Sequence, residues 1–442
     1  MNPVSTPNEG ANPVLRIFGV RGSLSCRVCL DLCLVSPRSH PRQLCALRLY
    51  CPAPARATTC SITHRWTRIV SHTLADTATT KSICRAMRQT FSGRISQILD
   101  SWTSGKSGQV SGKGSHDIDK YNALHDDKKT SVEGRNAAYV DLVNSYYNLA
   151  TDFYEWGWGQ SFHFAERLQG EDFGMSIVRH EYYLATRLGI KPSDHVLDCG
   201  CGIGGPLRNI GRFTGATVTG VTLNQYQVDR GNRLCQEAQL DDRCRLVQAD
   251  FHKLPFADST FNSCYSIEAC CHSPDRVDVY SEVFRVLKPG GYFASYEWCL
   301  TEKHDPLNER HLWSKKKIEE GDGLPGLTLT TSCDVALKRA GFELIESRDV
   351  ALDPNPGGEP WYKILTASYN LTSLEGLFRL QFTWWGTFMM NIVLNFMEFV
   401  GIAPRGSGKV REMLRQAQLG LVAGGEMGTF TPMYVVIGRK PL

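Results

Sequence analysis

Long uninterrupted apolar runs are missing from this sequence of 442 residues, so it does not predict a membrane-spanning helix. A secretory signal is also missing, and the net charge of +4 is small for this length, which removes the electrostatic argument for a nucleic-acid partner. Hydrophobic residues make up 42% and charged residues 21%, as in folded globular domains. The length allows one large catalytic domain with additions, or two domains.

Acidic residues are scarce before about residue 90, where only Glu9, Asp31 and Asp76 occur. That stretch is rich in Arg, Ser, Cys and Pro. Its composition is typical of a mitochondrial transit peptide, and translated sequence upstream of a start at Met87 explains it equally well. Residues 103–133 are rich in Gly, Ser and Lys, as flexible linkers are. We therefore expect an N-terminal extension and linker over residues 1–133.

Cysteine is plentiful, with 16 residues, of which seven precede residue 85. Among the early ones, Cys26, Cys29 and Cys33 lie close together but lack a matching second pair, so no zinc site is expected. The later cysteines, such as Cys199 and Cys270, lie in apolar runs. They are expected to be small buried side chains in a reducing compartment and not disulfides.

Two helices precede an alternation of strands and helices. Apolar residues at helical spacing predict helices over 139–153 and about 172–188, the second ending at Gly189. Short apolar strands then recur at 195–199, 217–222, 245–249, 263–267, 291–296 and 342–349. A last strand, Met433 to Gly438, begins at Pro432 and is expected to close the sheet edge. This alternation predicts a doubly wound, mostly parallel α/β sheet.

A strand runs into a glycine-rich turn and a helix over residues 195–206. Gly200, Gly202 and Gly204 have the spacing G-x-G-x-G-G and follow Asp198. Such a loop lets the backbone approach a ligand closely at a helix N-terminus. The turn alone does not distinguish between nucleotide-like ligands, so the ligand class has to be inferred from the residues at the ends of the following strands.

Polar residues follow the next three strands. Asn224 occupies the place of the acid that binds ribose in NAD proteins, which weakens a dinucleotide reading. Asp250 and Phe251 follow the third strand, and Glu268 ends the fourth, where a carboxylate lies on the ligand side of a parallel sheet. This order of elements resembles the class I S-adenosylmethionine (SAM)-dependent methyltransferases. The resemblance assigns to SAM the residues Asp198, Gly200, Gly202, Gly204, Asn224, Gln225, Asp250, Phe251 and Glu268.

Aromatic residues dominate the segment from Tyr154 to Phe164, which has neither helical nor strand periodicity. One interpretation is a buried aromatic loop that packs the helix at 139–153 onto the sheet. The other is an aromatic wall for a hydrophobic substrate that reacts through a cation, because ring faces attract positive charge.

This run is similar to the first substrate-binding motif of the sterol 24-C-methyltransferases. Three further segments agree with that family: Ile267–Pro274, Tyr296–Thr301 and Ile318–Pro325. The resemblance extends from about residue 135 through the closing segment Gly428–Tyr434. Cys270 replaces the usual Thr, and Gly326–Leu327 follows Pro325 where many members are more polar, which leaves the preferred sterol open.

The resemblance implies methyl transfer from SAM to carbon 24 of a Δ24-sterol in ergosterol- or phytosterol-type biosynthesis, without a metal. Methylation leaves a cation at carbon 25, followed by a hydride shift and loss of a proton. The catalytic candidates are His163, Glu268, Tyr154 and His272. The substrate-binding candidates are Tyr154, Glu155, Trp156, Trp158, Phe162, Phe164, Tyr296, Glu297 and Trp298. Glu155 and Glu297 are assigned to the sterol 3-hydroxyl.

The implied fold is a Rossmann-like, mostly parallel seven-stranded sheet flanked by helices. Its catalytic domain is expected over residues 134–365 and a C-terminal sterol methyltransferase region over 366–442. Within that region, residues 377–402 are apolar but interrupted by polar side chains. They predict a helix at the membrane interface or a lid over the sterol pocket, with a helix buried in the domain as the alternative.

Peripheral association with the endoplasmic reticulum membrane follows from the family, or a mitochondrial location if residues 1–90 act as a transit peptide. A homo-oligomer is compatible with the sequence. Two rivals stay open. One is a SAM-dependent methyltransferase of another lipid, such as a tocopherol-like phenol or an unsaturated acyl chain. The other is a non-catalytic lipid-binding protein on the same fold, against which the intact glycine loop and Asp250 count.

Overall fold

The computed structural model describes residues 131–442, apart from residues 371–373, 402, 404 and 405. The extension and linker expected over residues 1–133 therefore lie almost entirely outside the described residues. The same holds for Met87 and for the cysteine cluster at residues 26–33.

Seven strands form one sheet with the order β3-β2-β1-β4-β5-β7-β6. The strands are β1 His195–Cys199, β2 Thr217–Thr222, β3 Cys244–Gln248, β4 Phe261–Ile267, β5 Leu287–Leu300, β6 Glu343–Asp349 and β7 Phe430–Arg439. The first five are parallel, whereas β7 runs antiparallel to both β5 and β6. The predicted doubly wound, mostly parallel sheet is confirmed.

Eleven α-helices lie within the described part of the chain. They are α1 Val132–Ala137, α2 Tyr139–Gly157, α3 Phe173–Leu188, α4 Gly205–Thr214, α5 Gln225–Glu237, α6 Arg276–Val286, α7 Glu309–Asp322, α8 Thr330–Arg339, α9 Leu374–Arg379, α10 Trp384–Phe399 and α11 Ser407–Met427. Short 3₁₀ turns occur at Cys270–His272, Val350–Leu352, Trp361–Leu365 and Leu380–Phe382. The expected second helix is α3: Asp172 caps its start by accepting from the backbone N–H of Met175, and Gly189 ends it with φ 60°.

The last strand was expected at the sheet edge, and that expectation is wrong. β7 lies between β5 and β6, so that β6 forms the edge. Pro432 lies inside β7, where the β5–β7 register shifts between Glu297 and Cys299. A proline has no N–H to donate to a ladder, and this irregularity accommodates it.

Neighbouring residues of each central strand point to opposite faces, and each face has its own apolar core. Val196 belongs to the cluster under α3 and α4, whereas Leu197 belongs to the cluster under α6 and α8. All nine described cysteines are buried and free, as expected for small core side chains.

The C-terminal region adds α9, α10 and α11 beside the sheet domain. The alternative of a helix buried within the domain is wrong for α10, because Leu394 is its buried residue and much of the remaining helix is exposed. Across the described residues, no helix combines the length and apolarity needed to cross a bilayer.

Candidate functional site

The site begins at the switch point of the sheet, where the loops after the adjacent strands β1 and β4 meet. Gly200 has φ 85°, and a Cβ there would lie 2.3 Å from the Cβ of Ala269. Glycine is therefore required for the two loops to approach each other. Ligands of doubly wound sheets bind in the crevice at this point.

A cavity of about 70 Å³, here called the inner cavity, occupies this crevice. Seven of the residues assigned to SAM line it: Asp198, Gly200, Gly202, Asn224, Asp250, Phe251 and Glu268. Gly204 and Gln225 lie outside its lining. Gly204 is the left-handed N-cap residue of α4, and the exposed Gln225 bonds to Asp229 along α5. Both residues lie at the start of a helix and do not line the cavity.

Two acids of the inner cavity differ in charge state. Burial raises the pKa of Asp198 to about 8, against the opposing hydrogen bond from the Tyr265 hydroxyl at 3.0 Å. Burial also acts to raise the pKa of Asp250, but hydrogen bonds from His252 and Tyr139 outweigh it and lower that pKa to about 2. The cavity therefore offers one fixed carboxylate and one that a cation would ionise.

Asn224 is held by the protein at both ends of its amide. Its Oδ1 accepts from the backbone N–H of Gln227 at 3.1 Å, which caps α5, and its Nδ2 donates to Asn148 at 2.7 Å. One lone pair of Oδ1 is left for a ligand hydroxyl.

A second cavity of about 240 Å³, here called the outer cavity, adjoins the inner one. Six of the substrate-binding candidates line it: Tyr154, Trp156, Trp158, Phe162, Phe164 and Trp298. The C-terminal region contributes further lining residues, among them Gln381, Thr387, Arg411 and Gln418. The aromatic run thus forms a cavity wall, while Trp158 and Phe164 also pack into an apolar cluster with Trp361.

Five residues line both cavities: Tyr147, Phe162, His163, Glu268 and His272. They come from α2, the loop after it, the end of β4 and the 3₁₀ turn at Cys270–His272. A ligand in one cavity can therefore meet a ligand in the other only at this boundary.

Glu268 has the most constrained geometry at the boundary. Its φ of 53° lies in the left-handed region, which is uncommon for a residue other than glycine. Its Oε1 accepts from the backbone N–H of Phe164 and its Oε2 from the indole N–H of Trp298, each at 2.7 Å. Burial raises the pKa of Glu268 to about 8, against the opposing charge of His163 and these two hydrogen bonds.

His163 was a candidate proton acceptor, and its geometry contradicts that role. Nδ1 lies 2.9 Å from the carbonyl oxygen of Phe164 and Nε2 lies 3.1 Å from a carboxylate oxygen of Glu181. Both partners are acceptors, so both ring nitrogens donate. Burial lowers the pKa of His163, but the hydrogen bond and charge of Glu181 outweigh it and raise the pKa. The ring is an imidazolium without a free lone pair.

His272 is neutral and part of a dyad with Tyr147. Its Nδ1 donates to the carbonyl oxygen of Gly323 at 3.2 Å, so its Nε2 accepts from the Tyr147 hydroxyl at 2.9 Å. Burial lowers the pKa of His272 to about 4, which keeps the ring neutral.

Three substrate-binding candidates lie outside both cavities. Glu155 forms an ion pair with Arg230 at 2.6 Å. Glu297 is fully buried and accepts from Arg276, Tyr280 and Ser295. Tyr296 stacks on His180 at 3.8 Å on the other face of β5. Each side chain has a structural partner that the local motif does not reveal, so the assignment of Glu155 and Glu297 to the sterol hydroxyl is wrong.

Asp322 is a lining residue of the outer cavity that the sequence reasoning missed. Its Oδ1 accepts from the Tyr154 hydroxyl at 3.1 Å, whereas its buried Oδ2 has no hydrogen-bond partner among the described residues. Burial raises the pKa of Asp322 to about 7, against hydrogen bonds from Tyr154 and Tyr146. The available signal was its place in the family-like segment Ile318–Pro325. Tyr147 of α2 was also missed, because nothing in the sequence distinguishes it from the apolar residues of the same helix.

Over residues 131–442, excluding the gaps, no group of three or more His, Cys, Asp or Glu side chains is arranged to hold an ion.

Two family models match the chain. Residues 197–295 match a methyltransferase domain, and this range includes most of the residues that line the inner cavity. Residues 377–442 match the sterol methyltransferase C-terminal family. The second match covers α10, α11 and β7.

Curated relatives match most of the chain. Over 324 residues it is 49% identical to the cycloartenol-C-24-methyltransferase of Arabidopsis thaliana, which covers 73% of this chain and 94% of that protein. The sterol 24-C-methyltransferase of Saccharomyces cerevisiae is 44% identical over 317 residues, or 71% and 82% of the two chains. The corresponding protein of Aspergillus fumigatus is 43% identical over 332 residues, or 73% and 88%.

Proposed function

The chain belongs to the sterol 24-C-methyltransferase family, and we propose that its inner cavity binds SAM while its outer cavity receives the sterol side chain. The reaction is transfer of the SAM methyl group to carbon 24 of a sterol with a Δ24 double bond. The observation that carries the assignment of the cavities is their shared boundary of five residues.

The inner cavity suits SAM in its chemistry. The glycine loop leaves room for the backbone to contact the aminoacyl part, and Asp198 and Asp250 supply carboxylates for positively charged or N–H-bearing groups. SAM, when bound, supplies an electrophilic methyl group on a sulfonium sulfur. With its pKa raised to about 8, Asp198 is mostly protonated at neutral pH, and a bound cation would favour its ionised form.

The outer cavity suits a weak nucleophile that reacts through a cation. A sterol alkene needs no base to begin the reaction, so the protein must hold it in line with the methyl group and exclude water. The faces of Tyr154, Trp156 and Phe162 shelter the positive charge that develops at carbon 25. Glu268, fixed by two N–H donors at the boundary, has a pKa raised to about 8, and a cation beside it would favour the ionised form that provides the opposite charge.

The helix α10 supports a proposal about access. Its outward residues are large and apolar, while Thr387 on the same helix lines the outer cavity. We propose that α10 lies in the interface of the endoplasmic reticulum bilayer, from which the sterol enters the cavity.

Product identification tests the function directly. The full chain is incubated with SAM labelled in the methyl group, with a panel of Δ24-sterols and with an unsaturated fatty acyl control, and the products are identified by mass. We expect label in a sterol methylated at carbon 24. Label confined to the acyl control would contradict the substrate assignment, and absence of SAM binding would contradict the assignment of the inner cavity.

A further inference from the structure

The last step of the reaction requires a proton acceptor beside the sterol side chain. Glu268 is poorly suited, because each of its oxygens already accepts an N–H hydrogen bond. His163 donates through both nitrogens, and the acceptor nitrogen of His272 is occupied by Tyr147. The three proton-acceptor candidates named from the sequence, Glu268, His163 and His272, therefore all have hydrogen-bond partners at their acceptor atoms.

Asp322 is the exception. It is 5% exposed, lines the outer cavity and has a carboxylate oxygen without a hydrogen-bond partner among the described residues. A buried, unpaired carboxylate oxygen costs free energy, which is recovered when a proton or cation arrives. Its other oxygen is fixed by Tyr154.

The position of Asp322 relative to the boundary follows from a chain of contacts. A Cβ on Gly202 of the glycine loop would lie 3.4 Å from Phe162, whose ring centroid is 5.3 Å from that of Tyr154. Tyr154 in turn donates to Asp322. The next residue, Gly323, bonds to His272 at the boundary. Asp322 thus lies on the sterol side, two aromatic rings from the SAM loop.

We propose that Asp322 is the catalytic residue that accepts the proton lost from the methylated sterol cation, an inference that rests on the proposed function. The alkene π electrons form the bond from carbon 24 to the methyl carbon as the sulfur–methyl bond breaks and leaves a neutral sulfide. A hydride moves from carbon 24 to carbon 25, so that the positive charge passes from carbon 25 to carbon 24. A C–H bond next to the cation then supplies its electrons to a new double bond, and its proton passes to Oδ2 of Asp322.

The electrostatics of the cavity agree with this role. Burial holds the pKa of Asp322 at about 7, so the carboxylate is a base near neutral pH and ionises more readily once the sterol cation forms beside it. Tyr154, whose hydroxyl lies 2.5 Å from that of Tyr146, holds the acid through Oδ1.

The variant Asp322→Asn tests the proposal, with Glu320→Gln as the matched control. Glu320 lies on the same helix, is partly exposed and pairs with Lys316 and Lys317. In a single turnover with methyl-labelled SAM and a Δ24-sterol, we expect Asp322→Asn to release S-adenosylhomocysteine within about tenfold of the wild-type rate. The share of alkene product should fall by about a hundredfold, with label appearing in a sterol alcohol or on the protein. Glu320→Gln should match the wild type.

An unchanged alkene share in Asp322→Asn would overturn the proposal, as would loss of S-adenosylhomocysteine formation while SAM remains bound, because methyl transfer precedes proton loss. The product ratio does not depend on the fraction of enzyme that folds. If Asp322→Asn fails to bind SAM, Asp322→Ser, which also lacks a base, gives the same ratio. Failure of the proposed function itself is distinguishable, since the wild type would then produce no labelled sterol.

Discussion

At the scale of residues, the boundary between the cavities combines backbone strain with a carboxyl group held in one orientation. The left-handed backbone of Glu268 costs of the order of 1–3 kcal/mol and aims the carboxylate between the N–H groups of Phe164 and Trp298. Such a conformation at the end of a strand is maintained only because the surrounding contacts determine it. Its consequence is a carboxyl group that does not have to reorient when it ionises beside a cation.

Replacing Glu268 with Gln should slow the methyl-transfer step itself. The neutral amide removes the opposing charge, and its NH₂ group faces an N–H donor, so we expect single-turnover formation of S-adenosylhomocysteine to fall by about a hundredfold. This outcome differs from that of Asp322→Asn, in which methyl transfer persists. Equal rates in Glu268→Gln and wild type would remove Glu268 from the chemistry.

SAM affinity should depend on pH through the same residue. With its pKa raised to about 8, Glu268 is mostly protonated at pH 6 and mostly ionised at pH 9, and only the ionised form attracts a sulfonium. Titration calorimetry should therefore show a Kd for SAM that decreases from pH 6 to pH 8, and a weaker dependence in Glu268→Gln. The exposed Asp241→Asn serves as the control. A Kd that is constant in the wild type would contradict this prediction.

The sequence located most of these residues but not their hydrogen-bond states. The strand ends predicted that Asp198, Asp250 and Glu268 converge, because the carboxyl ends of parallel strands share one edge. His163 could not be assigned in this way, since Glu181, which fixes its protonation, lies 18 positions away on α3. That Oδ2 of Asp322 lacks a hydrogen-bond partner among the described residues likewise results from tertiary packing, which the sequence does not show.

At the scale of elements, α10 has one side exposed to solvent and another that contributes Thr387 to the lining of the outer cavity. Trp384, Trp385 and Phe388 at its start are 68%, 61% and 47% exposed, and Phe399 at its end is 87% exposed. Contiguous exposed apolar surface of this kind marks an interaction site. The polar interruptions in the sequence predicted that this segment is amphipathic. Which side of the helix faces the domain could be determined only from the structure.

Changing Trp384, Trp385 and Phe388 together to Ser should weaken binding to phosphatidylcholine vesicles by at least tenfold, since each buried large apolar side chain contributes about 1.5–3 kcal/mol. Sedimentation with vesicles measures the binding. The double variant Leu307→Ser, Leu352→Ser is the control, because these residues are 89% and 75% exposed outside α10. Equal loss in both variants would contradict a role specific to α10.

At the scale of the whole molecule, several buried acids keep protons that an unfolded chain would release. Burial raises the pKa of Asp198 and Glu268 to about 8 and that of Asp322 to about 7, from ordinary values near 4. A raised pKa in the folded state means that the native protein binds more protons between these values. Stability from these groups is therefore fully present below about pH 4 and is lost progressively as the pH rises to their folded pKa values of 7 to 8.

The melting temperature of the SAM-free protein should fall between pH 6.5 and pH 8.5, and Asp198→Asn should reduce that fall by about 2 °C or more. Differential scanning calorimetry provides the measurement, and Asp241→Asn should melt with the wild-type pH dependence. A melting temperature that rises over this interval would show that the buried acids are already ionised in the native state.

The placement of β7 constrains how the protein is made. Because β7 lies between β5 and β6, synthesis on the ribosome releases β6 long before the strand that joins it to the sheet. Until then β5 presents an open edge, a surface prone to pairing with other chains. Completion of the sheet is thus a late event that follows translation of nearly the whole described chain, and the edge of β5 stays open to pairing with other chains during that delay.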